Sequence, residues 1–163
     1  MADFEEEVTT FQEMYDFFLS GITDDMYMEY TKEDTLEMLE EILLAALPNF
    51  EFPRDAIIFD VDLKRKQFRC RLMFEEMRII RSYMVVEWIN YQLASIDNVR
   101  QKYSGSDFKF TSQASHIDKL IKLRETYQQE GFHLQRLYCR RHRSDATGAM
   151  VSSFTKIMEP RTW

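Results

Sequence analysis

Apolar side chains recur at steps of three and four residues over most of this chain, and that spacing constrains its fold more than any other feature. Residues 73–93 carry two such stripes at once. The first stripe comprises Met73, Met77, Ile80, Met84, Trp88 and Tyr91, and the second comprises Ile79, Tyr83 and Val86. A helix with two apolar faces is buried on two sides. We therefore expect residues 73–93 to form the central helix of a bundle.

Two shorter segments at the N-terminal end show the same spacing. Residues 4–19 predict an amphipathic helix with an acidic outer face. Thr31 and Asp34 form a pair resembling a capping box, which predicts the start of a second, acidic helix at Thr31. Pro48 is expected to end that helix, because proline lacks the amide donor that a helix interior needs.

A second long helix is predicted from about Ser112 to Arg141. Its apolar seam is interrupted by Arg124 and Gly131, so a free-standing coiled coil is not expected. Glycine inside a helix costs about 1 kcal/mol relative to alanine. We expect close approach of another backbone at Gly131, or a kink, to offset that cost.

The apolar period changes from helical to alternating between residues 53 and 72. Ile57, Phe59 and Val61 alternate with other residues, and the alternation resumes at Phe68 after the basic residues 64–66. This pattern predicts two short strands around a turn. A lone hairpin is marginally stable in water, so it should pack on the helices or pair with a neighbouring chain. An edge strand left open would be a site for β-augmentation.

The predicted fold class is mainly α: a helical bundle with two long helices, an acidic entry helix and a small β-hairpin. A chain of 163 residues fits one domain. We assign residues 1–142 to it, with 1–30 as an acidic N-terminal helix and connection and 31–142 as the core. Only 4 glycines and 3 prolines argue against a sandwich of tight turns, and 2 cysteines exclude a disulfide scaffold.

The net charge of −7 conceals a strong asymmetry along the chain. Residues 1–63 contain 18 acids and 2 bases, whereas residues 64–163 contain 10 acids and 19 bases. The predicted acidic face comprises Glu5, Glu6, Glu7, Asp24, Asp25, Glu37, Glu40 and Glu41. The predicted basic patch comprises Arg136, Arg140, Arg141 and Arg143. These arginines either stabilise a helix C-terminus or bind an acidic protein surface, such as a neighbouring copy, or nucleic acid.

Residues 143–163 differ in character from the rest of the chain. The helix-breaking residues 144–148 are followed by large apolar side chains with no obvious partner in the sequence. These are Met150, Val151, Phe154, Ile157, Met158 and Trp163. An isolated terminal segment normally frays. We therefore predict that residues 143–163 form a tail that docks on a partner.

No pattern in the sequence points to catalysis or to a cofactor. His133, Cys139 and His142 could be read as metal ligands, but their spacing does not place them on one helix face, so a structural role is favoured. The four glycines are scattered and form no phosphate loop. We expect neither an enzyme, a metal site nor a cofactor.

The sequence also contains no targeting or membrane signal. Its N-terminus lacks a basic region followed by an apolar one, and the longest apolar run, residues 42–47, is far shorter than the roughly 20 residues that span a bilayer. We therefore expect a soluble intracellular protein with reduced thiols and no membrane partner.

Residues 107–117 read Asp-Phe-Lys-Phe-Thr-Ser-Gln-Ala-Ser-His-Ile and lead into the second long helix. This stretch resembles one in the neck proteins of tailed bacteriophages, especially head–tail connectors below the portal. In those proteins it follows a helix that ends much like residues 84–89, Met-Val-Val-Glu-Trp-Ile. The acidic entry helix, hairpin and two long helices also occur there in the same order, so the resemblance covers roughly residues 31–142.

The resemblance implies a structural protein of the virion neck, assembled in the host cytoplasm. Such connectors form a ring, usually of twelve subunits, that docks on the portal, contacts further neck or tail proteins and leaves a channel for DNA. A terminal segment often inserts into the portal or a neighbouring subunit, a role that residues 143–163 would suit. The alternatives are a cytoplasmic nucleic-acid-binding regulator that uses the basic end of the last helix, and a small helical scaffold protein.

Overall fold

The computed structural model describes the chain at residues 8–22, 31–51, 53, 56–102, 110–143 and 150–152. In these ranges the fold is mainly helical with a small antiparallel hairpin, as predicted, and it has a second hairpin that the sequence analysis did not predict. The helices are α1 (Phe11–Leu19), α2 (Lys32–Ala46), α3 (Phe74–Lys102) and α4 (Phe110–Arg140). The strands are β1 (Val61–Asp62), β2 (Gln67–Phe68), β3 (Arg141–Arg143) and β4 (Met150–Ser152), paired β1 with β2 and β3 with β4.

Helix α1 begins at Phe11, later than the predicted residue 4. Thr10 and Glu13 form a capping box: the Thr10 hydroxyl accepts from the Glu13 amide at 3.2 Å, and the Glu13 carboxylate accepts from the Thr10 amide at 2.9 Å. Thr9, which the periodicity included in the helix, instead pairs its backbone with the hairpin, since its carbonyl accepts from the Phe68 amide at 2.9 Å. The chain itself therefore covers that edge of β2, and residues 1–7 lie outside the described ranges.

Helix α2 begins as the sequence predicted. The Thr31 side chain caps it by accepting from the Asp34 amide at 3.2 Å. After Ala46 the chain continues through a short 3-10 turn, Leu47–Asn49, which contains Pro48. Four side chains on the inner face of α2 are buried in the core: Leu39, Ile42, Leu43 and Ala46.

The first predicted hairpin exists, but it is shorter than expected. The prediction of a strand from Ile57 is wrong, because Ala56–Phe59 form a 3-10 turn that buries Ile58 completely in the core. Strand pairing begins only at Val61, opposite Phe68. Asp62 organises the turn: its carboxylate accepts from the amides of Lys64 and Arg65 at 3.0 and 3.1 Å, and the Arg65 bond contributes most to lowering the Asp62 pKa.

Helix α3 is the centre of the bundle and is buried on two sides, as its two stripes predicted. Ile79, Ile80, Tyr83 and Met84 are all buried, and α3 packs against α1, α2 and α4. The helix continues to Lys102, beyond the predicted end at residue 93. Both ends of its first stripe are exposed: Met73 is 40% and Tyr91 is 45% accessible.

The close approach predicted at Gly131 is present, but a side chain makes it. A Cβ atom at this position would lie 3.0 to 3.3 Å from the ring atoms of Tyr83 on α3. Glycine therefore lets α4 pack directly over that ring.

No helix in the described part of the chain is both long enough and apolar enough to cross a membrane.

Candidate interaction surfaces

A buried carboxylate joins the start of α3 to the end of α4. Glu76 has no solvent exposure. Its Oε2 accepts a 2.7 Å hydrogen bond from the Met73 amide, one turn earlier, and its Oε1 accepts a 2.6 Å bond from the Tyr138 hydroxyl. The first bond satisfies an amide at the helix start, as glutamate commonly does at the third helical position. The second ties α4 to that same turn.

A second buried polar side chain, Gln135, lies one turn earlier on α4. Its amide nitrogen donates to the Asn49 carbonyl at 2.9 Å and to the Tyr83 hydroxyl, while its amide oxygen accepts from the Glu51 amide at 2.8 Å. Burial raises the pKa of Tyr83. Gln135 thus connects α4 to α3 and to the segment that follows α2.

An apolar cleft of about 240 Å³ opens beside the buried side chains of Glu76 and Gln135, between the first turns of α3 and the last turns of α4. It is lined by Phe74, Glu75, Arg78, Ile79, Leu134, Leu137 and Tyr138. Phe74 forms its most exposed rim, with 68% of its surface accessible, and contacts the Phe17 ring edge-on at 5.4 Å between centroids. Arg78 forms an ion pair with Glu130 at 3.3 Å. A cleft with apolar walls and a few charged groups suits an apolar side chain better than a charged ligand.

The predicted acidic face divides into three groups. Glu5, Glu6, Glu7, Asp24 and Asp25 lie outside the described residues. Glu37 and Glu41 are exposed on α2, where Glu33 extends the same four-residue spacing along one helix face. Glu40 is half-buried and forms an ion pair with Lys66 of the hairpin turn, so its charge is paired within this chain.

Part of the charge asymmetry is satisfied within the chain. In the ranges that the structure describes, three ion pairs join acids of residues 1–63 to bases of residues 64–71: Glu13 with Arg71 at 3.0 Å, Asp60 with Arg69 at 3.1 Å, and Glu40 with Lys66. The hairpin turn and the residues just after β2 thus supply cations to acids of α1, of α2 and of the segment before β1, while contacts between neighbouring copies stay a prediction. Exposed pairs of this kind contribute about 0–1 kcal/mol each, so they orient the hairpin more than they stabilise it.

The predicted basic patch spans two kinds of structure. Arg136 and Arg140 are exposed in the last two turns of α4, and the Arg136 guanidinium lies 5.8 Å from the centre of the Phe132 ring. Arg141 and Arg143, by contrast, begin and end strand β3. Of the four arginines, Arg140 lies in the last turn of α4, where a cation interacts favourably with the helix C-terminus.

The predicted docking tail is described only where it forms β4. Met150 and Val151 pair with Arg143 and His142 of β3. The boundary drawn at residue 142 thus falls inside a hairpin, which the helical periodicity did not predict. Phe154, Ile157, Met158 and Trp163 lie outside the described residues, and the docking role of the tail stays a prediction.

The candidate metal ligands do not converge within the described residues, where no group of three His, Cys, Asp or Glu side chains could hold an ion. His133 and Cys139 are exposed on α4, and His142 lies in β3. Cys70 and Cys139 are not joined in a disulfide, and desolvation raises the pKa of Cys139.

The sequence analysis predicted neither the cleft nor the buried hydrogen bonds of Glu76 and Gln135 beside it. One signal was present: Glu76 falls in phase with the apolar stripe of Ile79, Tyr83 and Val86, which places a carboxylate on a buried helix face. A buried carboxylate needs a hydrogen-bonding partner. The spacing within α3 could not identify Tyr138 as that partner, because the two residues are 62 positions apart.

The stretch that carries the phage resemblance is described in part. Its residues 110–117 form the first turns of α4, and residues 107–109 lie outside the described ranges. No protein-family model matches the sequence, no curated protein is detectably similar to it, and no solved structure matches its fold.

Proposed function

We propose that this chain is a structural protein, not an enzyme, and that it acts as a head–tail connector, or adaptor, in the neck of a tailed bacteriophage. The observation that carries the proposal is the resemblance of residues 107–117, which lead into α4. The element order supports it: an acidic helix α2, the β1–β2 hairpin and the long helices α3 and α4 follow one another as expected for such proteins. The virion neck would be its location.

The charge on α2 fits a wall along which DNA must move. Glu33, Glu37 and Glu41 are exposed at intervals of four residues. Carboxylates in such a row repel the phosphate backbone, whereas lysine or arginine would hold it by releasing counterions. In this proposal α2 faces the channel, and DNA passes without sequence-specific binding.

Assembly into a ring follows from unlike surfaces on one chain. The exposed acids of α2 and the exposed Arg136 and Arg140 of α4 are charges of opposite sign on separate helices. Complementary charges steer association and fix its register more than they add affinity. We expect a ring, usually of twelve copies, that contacts the portal protein and further neck or tail proteins.

The deciding measurement is light scattering of the purified chain over a range of concentrations, alone, with the portal protein, and with duplex DNA at two salt concentrations. A ring, or a monomer that assembles only on the portal, supports the connector. A stable monomer whose DNA affinity falls steeply with salt contradicts it, because such a salt dependence marks phosphate neutralisation by basic side chains.

A charge-reversal pair tests which surface is used. Arg136→Glu with Arg140→Glu should weaken assembly, because both side chains are exposed at one end of α4. Lys119→Glu with Lys122→Glu is the matched control, since it makes the same charge change on exposed positions of the same helix. Equal assembly of the two variants would remove the basic patch from the interface.

The alternative is a cytoplasmic nucleic-acid-binding regulator, and the observation favouring it is also at the end of α4. Arg136 and Arg140 are exposed four residues apart, and Arg136 lies over the Phe132 ring. A basic stripe beside an aromatic ring can contact phosphates and bases. In the same DNA titration, the Arg136 and Arg140 reversal would abolish binding if the regulator is correct.

A further inference from the structure

The Phe74 ring at the start of α3 is exposed and held in place. With 68% of its surface accessible, it is the most exposed large apolar side chain of the described residues. It contacts the Phe17 ring edge-on, and the Arg81 guanidinium lies 5.0 Å from the centre of that second ring. Because these contacts limit the conformations of the exposed ring, binding it costs less entropy. A large exposed aromatic ring of this kind is typical of an interaction surface.

The cleft beside this ring has the size that one more such ring needs. Its volume is about 240 Å³, and its apolar walls include Ile79, Leu134 and Leu137. An apolar cavity of about 150 Å³ is large enough to bind benzene, whereas small-molecule sites usually measure about 300–1,000 Å³. One surface of the chain therefore presents an aromatic ring and, next to it, a cleft that fits one.

Charged side chains on the same surface have the arrangement that a two-fold contact requires. In an isologous interface both copies use the same surface, so each group must find its complement there. Glu75 and Arg78, one turn apart on α3, both line the cleft. Where two copies of α3 cross antiparallel, Glu75 of each copy can lie opposite Arg78 of the other. Arg78 also pairs with Glu130, but its side chain is 54% exposed and a guanidinium has five N–H donors, which suffice for a second carboxylate.

The charges and the ring require the same alignment of the two helices. When Glu75 lies opposite Arg78 of the second copy, Phe74 lies opposite Ile79, because both pairs are centred on the same point of α3. Ile79 is almost completely buried and lines the cleft. The alignment that pairs the charges therefore also brings the exposed ring to the cleft.

We propose that the cleft binds a second copy of this chain in a two-fold contact: Phe74 of each copy enters the cleft of the other, and Glu75 pairs with Arg78. A contact confined to the ends of two helices is small for a protein interface, so we expect a dissociation constant in the micromolar range. This inference goes beyond the proposed function and does not depend on it, since it uses neither the acids of α2 nor Arg136 and Arg140.

Sedimentation velocity of the full chain over a range of micromolar concentrations tests the contact. We expect a dimer as the smallest associated species. Phe74→Glu should weaken dimerisation at least roughly tenfold, as expected for a central aromatic anchor. Phe132→Glu is the matched control, because it makes the same change at an exposed ring that does not line the cleft, and it should dimerise like the parent chain. A parent chain that stays monomeric, a smallest associated species other than a dimer, or equal weakening in both variants would overturn the proposal.

A mixing experiment tests the alignment separately. In homodimers of Glu75→Arg two cations face each other at both charge contacts, and in homodimers of Arg78→Glu two acids do, so each variant alone should dimerise more weakly than the parent chain. In an equimolar mixture both contacts join an acid to a base, so the mixture should dimerise about as well as the parent. Circular dichroism checks that both variants are folded. A mixture that associates no better than the separate variants would overturn the two-fold alignment.

Discussion

The hydroxyl of Tyr138 donates a 2.6 Å hydrogen bond to Oε1 of Glu76, a carboxylate with no exposed surface. The two residues are 62 positions apart, and their bond joins the last turns of α4 to the first turn of α3. Tyr138 also lines the apolar cleft. This polar contact therefore sets the spacing of the helices on which the cleft depends.

Tyr138→Phe should lower the free energy of unfolding by about 1–3 kcal/mol, because it removes the hydrogen bond that the hydroxyl donates to a buried carboxylate. Urea unfolding followed by circular dichroism measures the change. The matched control is Tyr127→Phe, at a half-buried position on the same helix for which no hydroxyl hydrogen bond is found in the described structure. That control should stay within about 0.5 kcal/mol of the parent chain. Equal losses in both variants would contradict the role assigned to Glu76.

Gly131→Ala should be destabilising despite the better helix propensity of alanine. The new Cβ would lie 3.0 Å from the Tyr83 ring, which Gln135 holds through its hydroxyl. Overpacking costs about 1–3 kcal/mol, and because the ring is held by Gln135 we expect a cost above the gain of about 1 kcal/mol from replacing glycine. Stabilisation by alanine would show that the ring moves aside freely.

Tyr83→Phe tests whether the hydrogen bond that holds the ring causes the cost of Gly131→Ala. Without the hydroxyl, Gln135 no longer holds the ring, so it can shift away from residue 131. In a double-mutant cycle, Gly131→Ala should therefore cost less in the Tyr83→Phe background than in the parent chain. Strict additivity of the two changes would contradict the coupling.

Glu13 should contribute to acid unfolding. Its hydrogen bond from the Thr10 amide, followed by that from Arg71, lowers the pKa of this carboxyl below its ordinary value of 4.5. Because the native pKa is the lower one, the unfolded chain binds the proton more readily. The resulting stability is present above 4.5 and is lost as the pH falls through the lowered native pKa.

Glu13→Gln should therefore reduce the loss of unfolding free energy on acidification, measured by urea unfolding at a series of pH values. Arg71→Gln removes only one cause of the pKa shift and should give an intermediate slope. Asp62, whose pKa is also lowered, remains in both variants, so some acid dependence persists. A slope unchanged in Glu13→Gln would contradict the prediction.

Lys66 has a φ of 54°, in the left-handed region that glycine adopts at least cost. Lys66→Gly should be more stable than Lys66→Ala by about 1 kcal/mol, because both lose the ion pair with Glu40 but only glycine relieves the backbone. Thermal unfolding of the two variants measures the difference. The reverse order would show that the turn tolerates this conformation without cost.

Local patterns predicted the elements whose determinants lie within a few residues. Thr31 with Asp34 identified the start of α2, and the two stripes of α3 indicated burial on two sides. Prediction was wrong where a distant partner competed with the local pattern. Val8 continues the spacing of α1, but the backbone of the next residue, Thr9, pairs with the hairpin instead. The alternation from Ile57 predicted a strand, but burial of Ile58 in the core favours a 3-10 turn there.

The sequence by itself determined the helical class, the order of the elements and the acidic character of the first helices, because periodicity, caps and charge are properties of neighbouring residues. Only the tertiary structure decided that Glu40 faces Lys66, that Gly131 lies against Tyr83 and that Glu76 meets Tyr138 beside an apolar cleft. Each of these contacts joins residues 26 to 62 positions apart. Their pairing depends on how the helices pack, and no local pattern encodes the free energy of that packing.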